Sequence, residues 1–160
     1  MVHRSPDYRP LIRAARAARA RAYAPYSRFP VGAAALTSDG SIYAGANVEN
    51  ASFGLTQCAE RVAMQTAAAA GHVRIRAVAI AGAAGISPCG ACRQVMAEFG
   101  VRTVVIAAEG SAPAVVTFAD LLPHPFGARN LQAARPQRAR PSLRTRAPSG
   151  GRRRLRHAGL

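Results

Sequence analysis

Polar and apolar positions in the first 24 residues follow a helical period. The arginines are Arg13, Arg16 and Arg19, and the apolar positions beside them are Leu11, Ile12, Ala15 and Ala22. Because one set can face a core while the other faces water, the spacing predicts an amphipathic first helix. Pro10 is suited to its first turn, where a missing backbone N–H costs nothing.

The next segments have the short apolar runs of strands. Residues 29–36 and 41–47 flank the turn dipeptide Asp39-Gly40, so we predict an antiparallel hairpin. Further strands are predicted at 76–82, 102–107 and 114–118, and helices at 55–70, 88–99 and, for a single turn, 120–122. A hairpin followed by alternating helices and strands predicts an α/β domain in which helices cover both faces of a mixed sheet.

Length and composition suit one domain with an appendage. The chain has 160 residues and 49% hydrophobic content, so we expect a domain at 1–127 and a tail at 128–160. No stretch of about 18 apolar residues free of charge is present, and we expect a cytoplasmic protein. The Arg- and Ala-rich first 24 residues leave an organellar transit peptide as an alternative.

The net charge of +15 is unevenly distributed. Residues 1–127 contain 12 Arg and 7 acids, whereas residues 128–160 contain 10 Arg and no acid. The tail has no sustained apolar period and is rich in Arg, Pro, Ala, Ser and Gly, so we predict that it is disordered. Because the basic charge belongs mostly to the tail, it is weak evidence that the domain binds nucleic acid.

Cys58, Cys89 and Cys92 are the only cysteines of the sequence. In a cytoplasmic chain such a cluster indicates metal ligation or catalysis before disulfides. Ser87 is a suitable helix cap and Pro88 a suitable first helical residue, which predicts Cys89 and Cys92 on one face at the start of a helix. Cys58 is expected in the first turn of the preceding helix. Two helix N-termini would then present three thiolates to one zinc ion.

A structural zinc site usually has four protein ligands, whereas a catalytic site leaves one position for water. No fourth cysteine exists and no histidine has a ligand-like spacing, so we interpret the cluster as a catalytic site for one Zn²⁺ per chain. Glu60 stands two residues after Cys58, on a different face of the helix, and is expected beside the metal, where a carboxylate can move protons. A structural three-cysteine zinc site and inert buried cysteines are the alternatives.

Arg61 follows Glu60 and lies three residues after Cys58. Three thiolates give a zinc centre a negative charge, which weakens its action on water. Arg61 can donate hydrogen bonds to cysteine sulfur and offset that charge. The alternative is an ordinary surface arginine.

Several motifs occur together and in a fixed order. They are Ala24-Pro25-Tyr26-Ser27-Arg28-Phe29, Val31-Gly32-Ala33-Ala34, Asn47-Val48-Glu49-Asn50, Cys58-Ala59-Glu60-Arg61, Pro88-Cys89-Gly90-Ala91-Cys92-Arg93-Gln94 and Leu121-Leu122-Pro123 with Phe126. With these motifs the chain resembles the small cytidine deaminases, in which a ligand-x-Glu precedes Pro-Cys-x-x-Cys. It departs from the usual pattern at Phe53, where a tyrosine is frequent, at Pro125 and in the tail.

The resemblance implies a three-layer αβα fold with a mixed five-stranded sheet, and deamination of cytidine and deoxycytidine in pyrimidine salvage. It implies that Cys58, Cys89 and Cys92 hold zinc and that Glu60 is the catalytic proton carrier. The implied substrate contacts are Phe29 on the pyrimidine, Asn47 and Glu49 on the ribose, Ala59, and Phe126 from a neighbouring subunit. The last of these follows because proteins of this family are homotetramers with composite sites.

Three other functions share part of this pattern. A nucleic-acid-editing deaminase would use the same zinc chemistry, but a carboxylate at Glu49 would repel phosphate and leave no room for a 3′-phosphodiester. A deaminase of a cytosine-nucleoside antibiotic would have a similar metal motif. A zinc-stabilised nucleic-acid-binding module would have no use for Glu60. We therefore expect cytidine and deoxycytidine as the partners, with no membrane partner and no nucleic acid, the tail being the one segment that leaves nucleic acid open as an alternative.

Overall fold

The computed structural model describes residues 6–133. A five-stranded mixed sheet runs through the domain in the order β2-β1-β3-β4-β5. The strands are β1 (Gly32–Thr37), β2 (Ile42–Ala46), β3 (Ile75–Ala81), β4 (Thr103–Ala107) and β5 (Ala114–Thr117). The helices are α1 (Arg9–Arg19), α2 (Ala59–Ala69), α3 (Gly90–Glu98), α4 (Phe118–Leu121) and α5 (Ala128–Ala133), and a short 3₁₀ helix covers Phe53–Leu55. Strands β3 and β4 pair in parallel, and the other pairs are antiparallel.

Helices cover both faces of the sheet, which confirms the predicted three-layer α/β architecture. On one face, Leu11, Ile12 and Ala15 of α1 are buried against small residues of β1, β3 and β4. On the other face, Met64 of α2 and Met96 of α3 are buried with the remaining strand residues. Leu11, Ile12 and Ala15 are therefore confirmed as core positions of the first helix, whereas the predicted Ala22 lies beyond its end and Ala18 is buried in addition.

Helix α2 lies unusually close to the sheet at Gly45 of β2. A Cβ at this position would lie 2.4 Å from the backbone nitrogen of Ala63 and 2.9 Å from the carbonyl oxygen of Ala59. Only glycine allows this approach, because backbone atoms cannot move aside as a side chain can. The glycine thus sets the position of α2, whose first residues belong to the cysteine motif.

The predicted starts of the two site helices were wrong by a few residues. Helix α2 begins at Ala59, with Cys58 as its cap, and residues 53–55 form a separate 3₁₀ turn. Helix α3 begins at Gly90, with Cys89 as its cap and Pro88 outside the helix. The Pro88 carbonyl accepts a hydrogen bond of 2.8 Å from Nε of Arg93. Pro88 is therefore held by a side chain of α3 while it lies outside the helix, which begins two residues later.

The start of the predicted tail also differs from the expectation. Residues 128–133 form α5, whereas the sequence indicated no regular structure from 128 onward. The segment Ala-Arg-Asn-Leu-Gln-Ala contains several strong helix formers and neither Gly nor Pro. The remainder of the predicted tail, 134–160, lies outside the described residues.

Within residues 6–133, the structure contains no helix with the length and apolar character needed to cross a membrane.

Candidate metal centre and substrate cavity

The three cysteines meet where α2 and α3 begin. Cys58 and Cys89 are the extended residues that cap these helices, and Cys92 lies in the first turn of α3. The three sulfur atoms lie within 4.8 Å of one another, and Sγ of Cys58 is 3.9 Å from Sγ of Cys89. Zn–S bonds of about 2.3 Å in a tetrahedron place sulfurs about 3.8 Å apart. The donor set and its spacing therefore fit zinc.

The pKa values of Cys58 and Cys92 are shifted in opposite directions. A hydrogen bond from the thiol of Cys92 lowers the pKa of Cys58 to about 5, and Arg61 contributes in the same direction. The same hydrogen bond, together with burial, raises the pKa of Cys92. Cys58 is thus a thiolate at neutral pH, which is the form that ligates metal, and metal binding would displace the proton of Cys92.

Arg61 extends along the outside of the cluster. Its Nη2 donates to the carbonyl oxygen of Thr56 at 2.8 Å and lies 3.9 Å from Sγ of Cys58. Its Nε and Oε1 of Gln57 are buried and have no hydrogen-bond partner among the described residues. The guanidinium therefore lies beside the thiolate, where the sequence predicted it.

Glu60 lies in the first turn of α2 and is 4% exposed. Burial raises the pKa of its carboxyl group, because the charged form is poorly solvated there. It lines a cavity of ≈ 350 Å³ into which two of the cysteines also open. The cavity-lining residues that the sequence predicted are Phe29, Asn47, Glu49, Cys58, Ala59, Glu60 and Cys89.

Asn47 organises one wall of this cavity. Its Oδ1 accepts from the backbone N–H of Val31 at 2.8 Å, and its Nδ2 donates to the carbonyl oxygen of Phe29 at 3.0 Å. The side chain is 8% exposed. One lone pair of the oxygen and one N–H remain available, so the amide can hold this loop and still contact a ligand.

Glu49 holds the preceding part of the same loop. Its Oε2 accepts from the backbone N–H groups of Tyr26 and Ser27 at 2.8 and 3.1 Å, and its Oε1 accepts from the Ser27 hydroxyl. The Ser27 hydroxyl and these backbone groups hold the pKa of Glu49 below its ordinary value. The side chain is therefore a carboxylate at neutral pH, with lone pairs left for a ligand hydroxyl.

Two residues that hold the site were quoted in a motif but given no role by the sequence analysis. Arg93 donates to the carbonyls of Pro88 and Leu121, both at 2.8 Å, and to the Ser87 hydroxyl at 2.9 Å. Gln94 donates to the carbonyl of Phe126 at 2.7 Å. Their position directly after Cys92 was the available signal, but their partners lie on segments whose proximity a sequence pattern does not reveal.

Phe126 does not line the cavity of its own chain, and its side chain is 59% exposed. The structure contains a single chain, so the predicted contact across subunits stays a prediction. Cys92 and Arg61 lie behind the cavity wall, next to the cysteines that reach it.

Comparison with known proteins agrees with this geometry. Residues 6–108 match the family model described as the cytidine and deoxycytidylate deaminase zinc-binding region. A cytidine deaminase of Sporosarcina psychrophila is 44% identical over 135 residues, which are 82% of this chain and 99% of that protein. The crystal structure of a cytidine deaminase from Burkholderia pseudomallei has a TM-score of 0.71 at 49% identity and covers 76% of this chain and 100% of its own. The corresponding structure from Mycobacterium tuberculosis has a TM-score of 0.67 at 42% identity, covering 77% and 99%.

Proposed function

The chain belongs to the cytidine deaminase family, and from this premise we propose that it hydrolyses cytidine and deoxycytidine to uridine and deoxyuridine in pyrimidine salvage. One observation carries the proposal. A zinc-compatible group of three thiols and a buried carboxylate, Glu60, meet at a cavity of ≈ 350 Å³. That volume lies within the range typical of small-molecule sites and suits a nucleoside.

Cys58, Cys89 and Cys92 hold the zinc ion, one per chain. When bound, zinc supplies the Lewis acidity that makes water a competent nucleophile at neutral pH. Arg61, 3.9 Å from the Cys58 sulfur, offsets the negative charge of the thiolates.

Glu60 transfers the protons of the reaction. Water adds at C4 of the cytosine ring while Glu60 accepts a proton from it and delivers one to N3. A proton then passes to the amino nitrogen, the C4–N bond breaks, and ammonia leaves. The raised pKa of the buried carboxyl suits this exchange, because a group that must both accept and donate works best near the operating pH.

The remaining cavity residues orient the nucleoside. Phe29, whose ring is 48% exposed and lines the cavity, packs against the pyrimidine. The remaining lone pairs of Glu49 accept hydrogen bonds from the ribose hydroxyls, the 3′-hydroxyl above all, and the free N–H of Asn47 donates to the ribose. Ala59, fully buried at the start of α2, forms the wall beside the ring. The carboxyl groups of Glu49 and Glu60, which line the cavity, do not favour a phosphate group, so nucleosides are preferred to nucleotides.

The active form is a homotetramer in the cytoplasm, in which Phe126 of one subunit completes the site of another. Large apolar side chains that are exposed in the single subunit support such an assembly, since an isolated subunit would leave them in water. They include Tyr26, Phe53 and Leu55, which are 52%, 75% and 64% exposed. Three free thiols in one metal-ready cluster suit a reducing compartment.

The decisive test is ammonia release from cytidine, deoxycytidine, CMP and single-stranded DNA, measured with zinc-loaded protein. Turnover of the two nucleosides at comparable rates, with little release from CMP or DNA, is the expected result. Metal analysis in parallel should give one zinc per chain, and a Cys92→Ala variant should lose both metal and turnover. Active protein that contains far less than one equivalent of zinc would overturn the site, and a preference for DNA would overturn the substrate.

A further inference from the structure

A second cavity lies at the start of strands β3 and β4, and the metal centre lies beyond the other end of β3. It has a volume of ≈ 530 Å³, and its charged lining residues are Arg74, Arg76 and Arg102. These residues precede or begin β3 and β4, whereas Cys89 follows the other end of β3. Because β3 has seven residues, the two ends are roughly 20 Å apart at about 3.3 Å per residue.

The backbone brings two of these arginines side by side. The N–H of Arg102 donates to the carbonyl of Arg76 at 3.1 Å, in the same parallel register that pairs Ala77 with Thr103. Adjacent segments of a sheet are about 4.8 Å apart, and like charges at such neighbouring positions repel. The repulsion between Arg76 and Arg102 therefore favours a bound anion, whose negative charge would offset it.

A register shift directs Arg76 into this position. Leu36 of β1 pairs with Ala77 and Thr37 pairs with Ile75, which leaves Arg76 without a partner on β1. Such an extra residue in one strand changes the direction of its side chain, and irregularities of this kind occur often next to functional sites. Arg76 is accordingly exposed, while every other residue of β3 is buried.

No carboxylate neutralises the three arginines within the part of the chain that the structure describes. The ion pairs found there involve other residues. Asp39 follows the lining residue Ser38 in the chain, but its carboxylate contacts Thr37, Ser41 and His72. Asp7 precedes the lining residue Tyr8 and is paired with Arg9. Three arginines thus line one cavity together with Ser38 and Tyr8.

We propose that this cavity binds the oligophosphate group of a small anionic ligand. Guanidinium groups form paired hydrogen bonds with phosphate oxygens, and three arginines lining one cavity suit several linked phosphates. The volume of the cavity is that of a small-molecule site. Nucleic acid is the less favoured occupant, because the three arginines share one concavity of that volume. The site is independent of the deaminase reaction.

The test compares the zinc-loaded full-length protein with an Arg76→Ser/Arg102→Ser variant by calorimetric titration. The probes are inorganic tripolyphosphate and CTP, and the matched control is Arg13→Ser/Arg21→Ser, which removes the same charge from α1 and the turn that follows it. Ten arginines of residues 129–160 are common to all three proteins, so the difference between variants isolates the cavity. We expect saturable binding near one equivalent per chain, weakened about tenfold or more in the cavity variant and less than about twofold in the control.

The two probes distinguish the sources of the oligophosphate. Equal affinity for tripolyphosphate and CTP, with the same dependence on the arginines, would indicate that phosphates alone are bound, and tighter binding of CTP would indicate a nucleotide. Binding that is equal in the cavity variant and the control would overturn the proposal. So would arginine-dependent binding of a 12-nucleotide DNA without binding of tripolyphosphate, since the occupant would then be nucleic acid.

A conservative variant keeps the test informative if the serine variant folds poorly. Arg76→Lys/Arg102→Lys retains the charge but cannot form paired hydrogen bonds. We expect it to bind tripolyphosphate more weakly than the wild type while its unfolding temperature, zinc content and cytidine turnover stay unchanged. Wild-type affinity in this variant would contradict the proposed geometry.

Discussion

At the scale of single residues, several polar side chains of the site serve two purposes. Asn47 and Glu49 hold the loop that carries Phe29 while both also line the cavity. Glu60 is different, because its carboxyl group is buried without a comparable structural contact from a neighbouring loop. Substitutions should therefore distinguish the two roles. Replacing Glu60 should lower turnover with little effect on the stability of the fold, whereas replacing Glu49 should lower both turnover and stability.

Glu60→Gln should abolish most turnover while zinc content and fold are retained. The amide has the size of the carboxyl but cannot exchange protons, and general acid/base groups contribute about 10²- to 10⁴-fold. Steady-state kinetics with cytidine, together with metal analysis and circular dichroism, measures the effect. A variant with nearly normal kcat would show that the proton carrier is another group.

Glu49→Gln should lower stability in a pH-dependent manner. The folded state depresses the pKa of Glu49 through the Ser27 hydroxyl and two backbone N–H groups, so its contribution is present above the ordinary pKa of 4.5 and is lost as pH falls toward the folded value. The unfolding temperatures of wild type and variant should differ most at pH 7 and converge as the pH falls from 4.5 through the lower pKa of the folded state. Loss of zinc from acidified thiols affects both proteins, so their difference isolates Glu49. A difference that stays constant from pH 7 to pH 3 would exclude the carboxylate as its cause.

At the scale of elements, the site depends on where two helices begin. Cys58 and Cys89 have extended backbones, with ψ angles of 149° and 166°, and each helix starts at the next residue. The sequence predicted both helices and the convergence of their first turns, because the apolar periods and the stops at Gly71 and Gly100 are local signals. The sequence analysis placed Pro88 inside α3, because proline favours the first position of a helix, and this placement was wrong. The contact between Arg93 and the Pro88 carbonyl involves tertiary geometry that local rules do not contain.

Gly45→Ala should destabilise the domain and weaken zinc binding together. The added Cβ would lie 2.4 Å from the Ala63 nitrogen, so α2 must move, and overpacking of this kind costs about 1–3 kcal/mol. Because α2 carries Cys58 and Glu60 at its start, its displacement should also alter the thiol cluster. Chemical denaturation and chelator competition measure the two effects. Gly54→Ala is the matched control, since its Cβ would meet no atom within 4 Å, and equal effects in both variants would contradict the explanation.

Arg93→Ala should weaken zinc binding although the hydrogen bonds of the Arg93 side chain go to Ser87, Pro88 and Leu121 and not to the thiols. Its guanidinium joins Ser87 and Pro88, which precede Cys89, to the carbonyl of Leu121. Loss of such supporting contacts typically costs 10- to 100-fold in metal affinity or activity, so we expect about that range. Competition with a chromogenic chelator measures the affinity, and excess zinc should restore part of the lost kcat. Arg21→Ala, a change on the protein surface at the end of α1, should leave both quantities unchanged.

At the scale of the whole molecule, the fold class and the cluster of three cysteines could be predicted because they rest on short-range patterns. The hairpin and the alternation of helices and strands follow from spacing within single segments, and the cysteines from two short motifs that each precede or begin a helix. The arginine cavity could not be predicted in this way. It depends on a register shift between β1 and β3 and on parallel pairing of β3 with β4, which join positions far apart in the chain.

The last prediction concerns the part of the chain that follows the domain. Removal of residues 134–160 should preserve zinc content, oligomeric state and cytidine turnover, because every motif residue lies before that point and the removed segment contains neither acid nor aromatic residue. Ending the chain after Ala133 keeps all described residues and places the new carboxylate seven residues away from Phe126. Metal analysis, size-exclusion chromatography and steady-state kinetics measure the three properties. The removed segment carries nine of the ten arginines found after residue 128, so any salt-dependent retention on nucleic acid should fall with it. A truncated protein that folds and binds zinc but no longer deaminates cytidine would show that these residues contribute to the site and that the domain extends past residue 133.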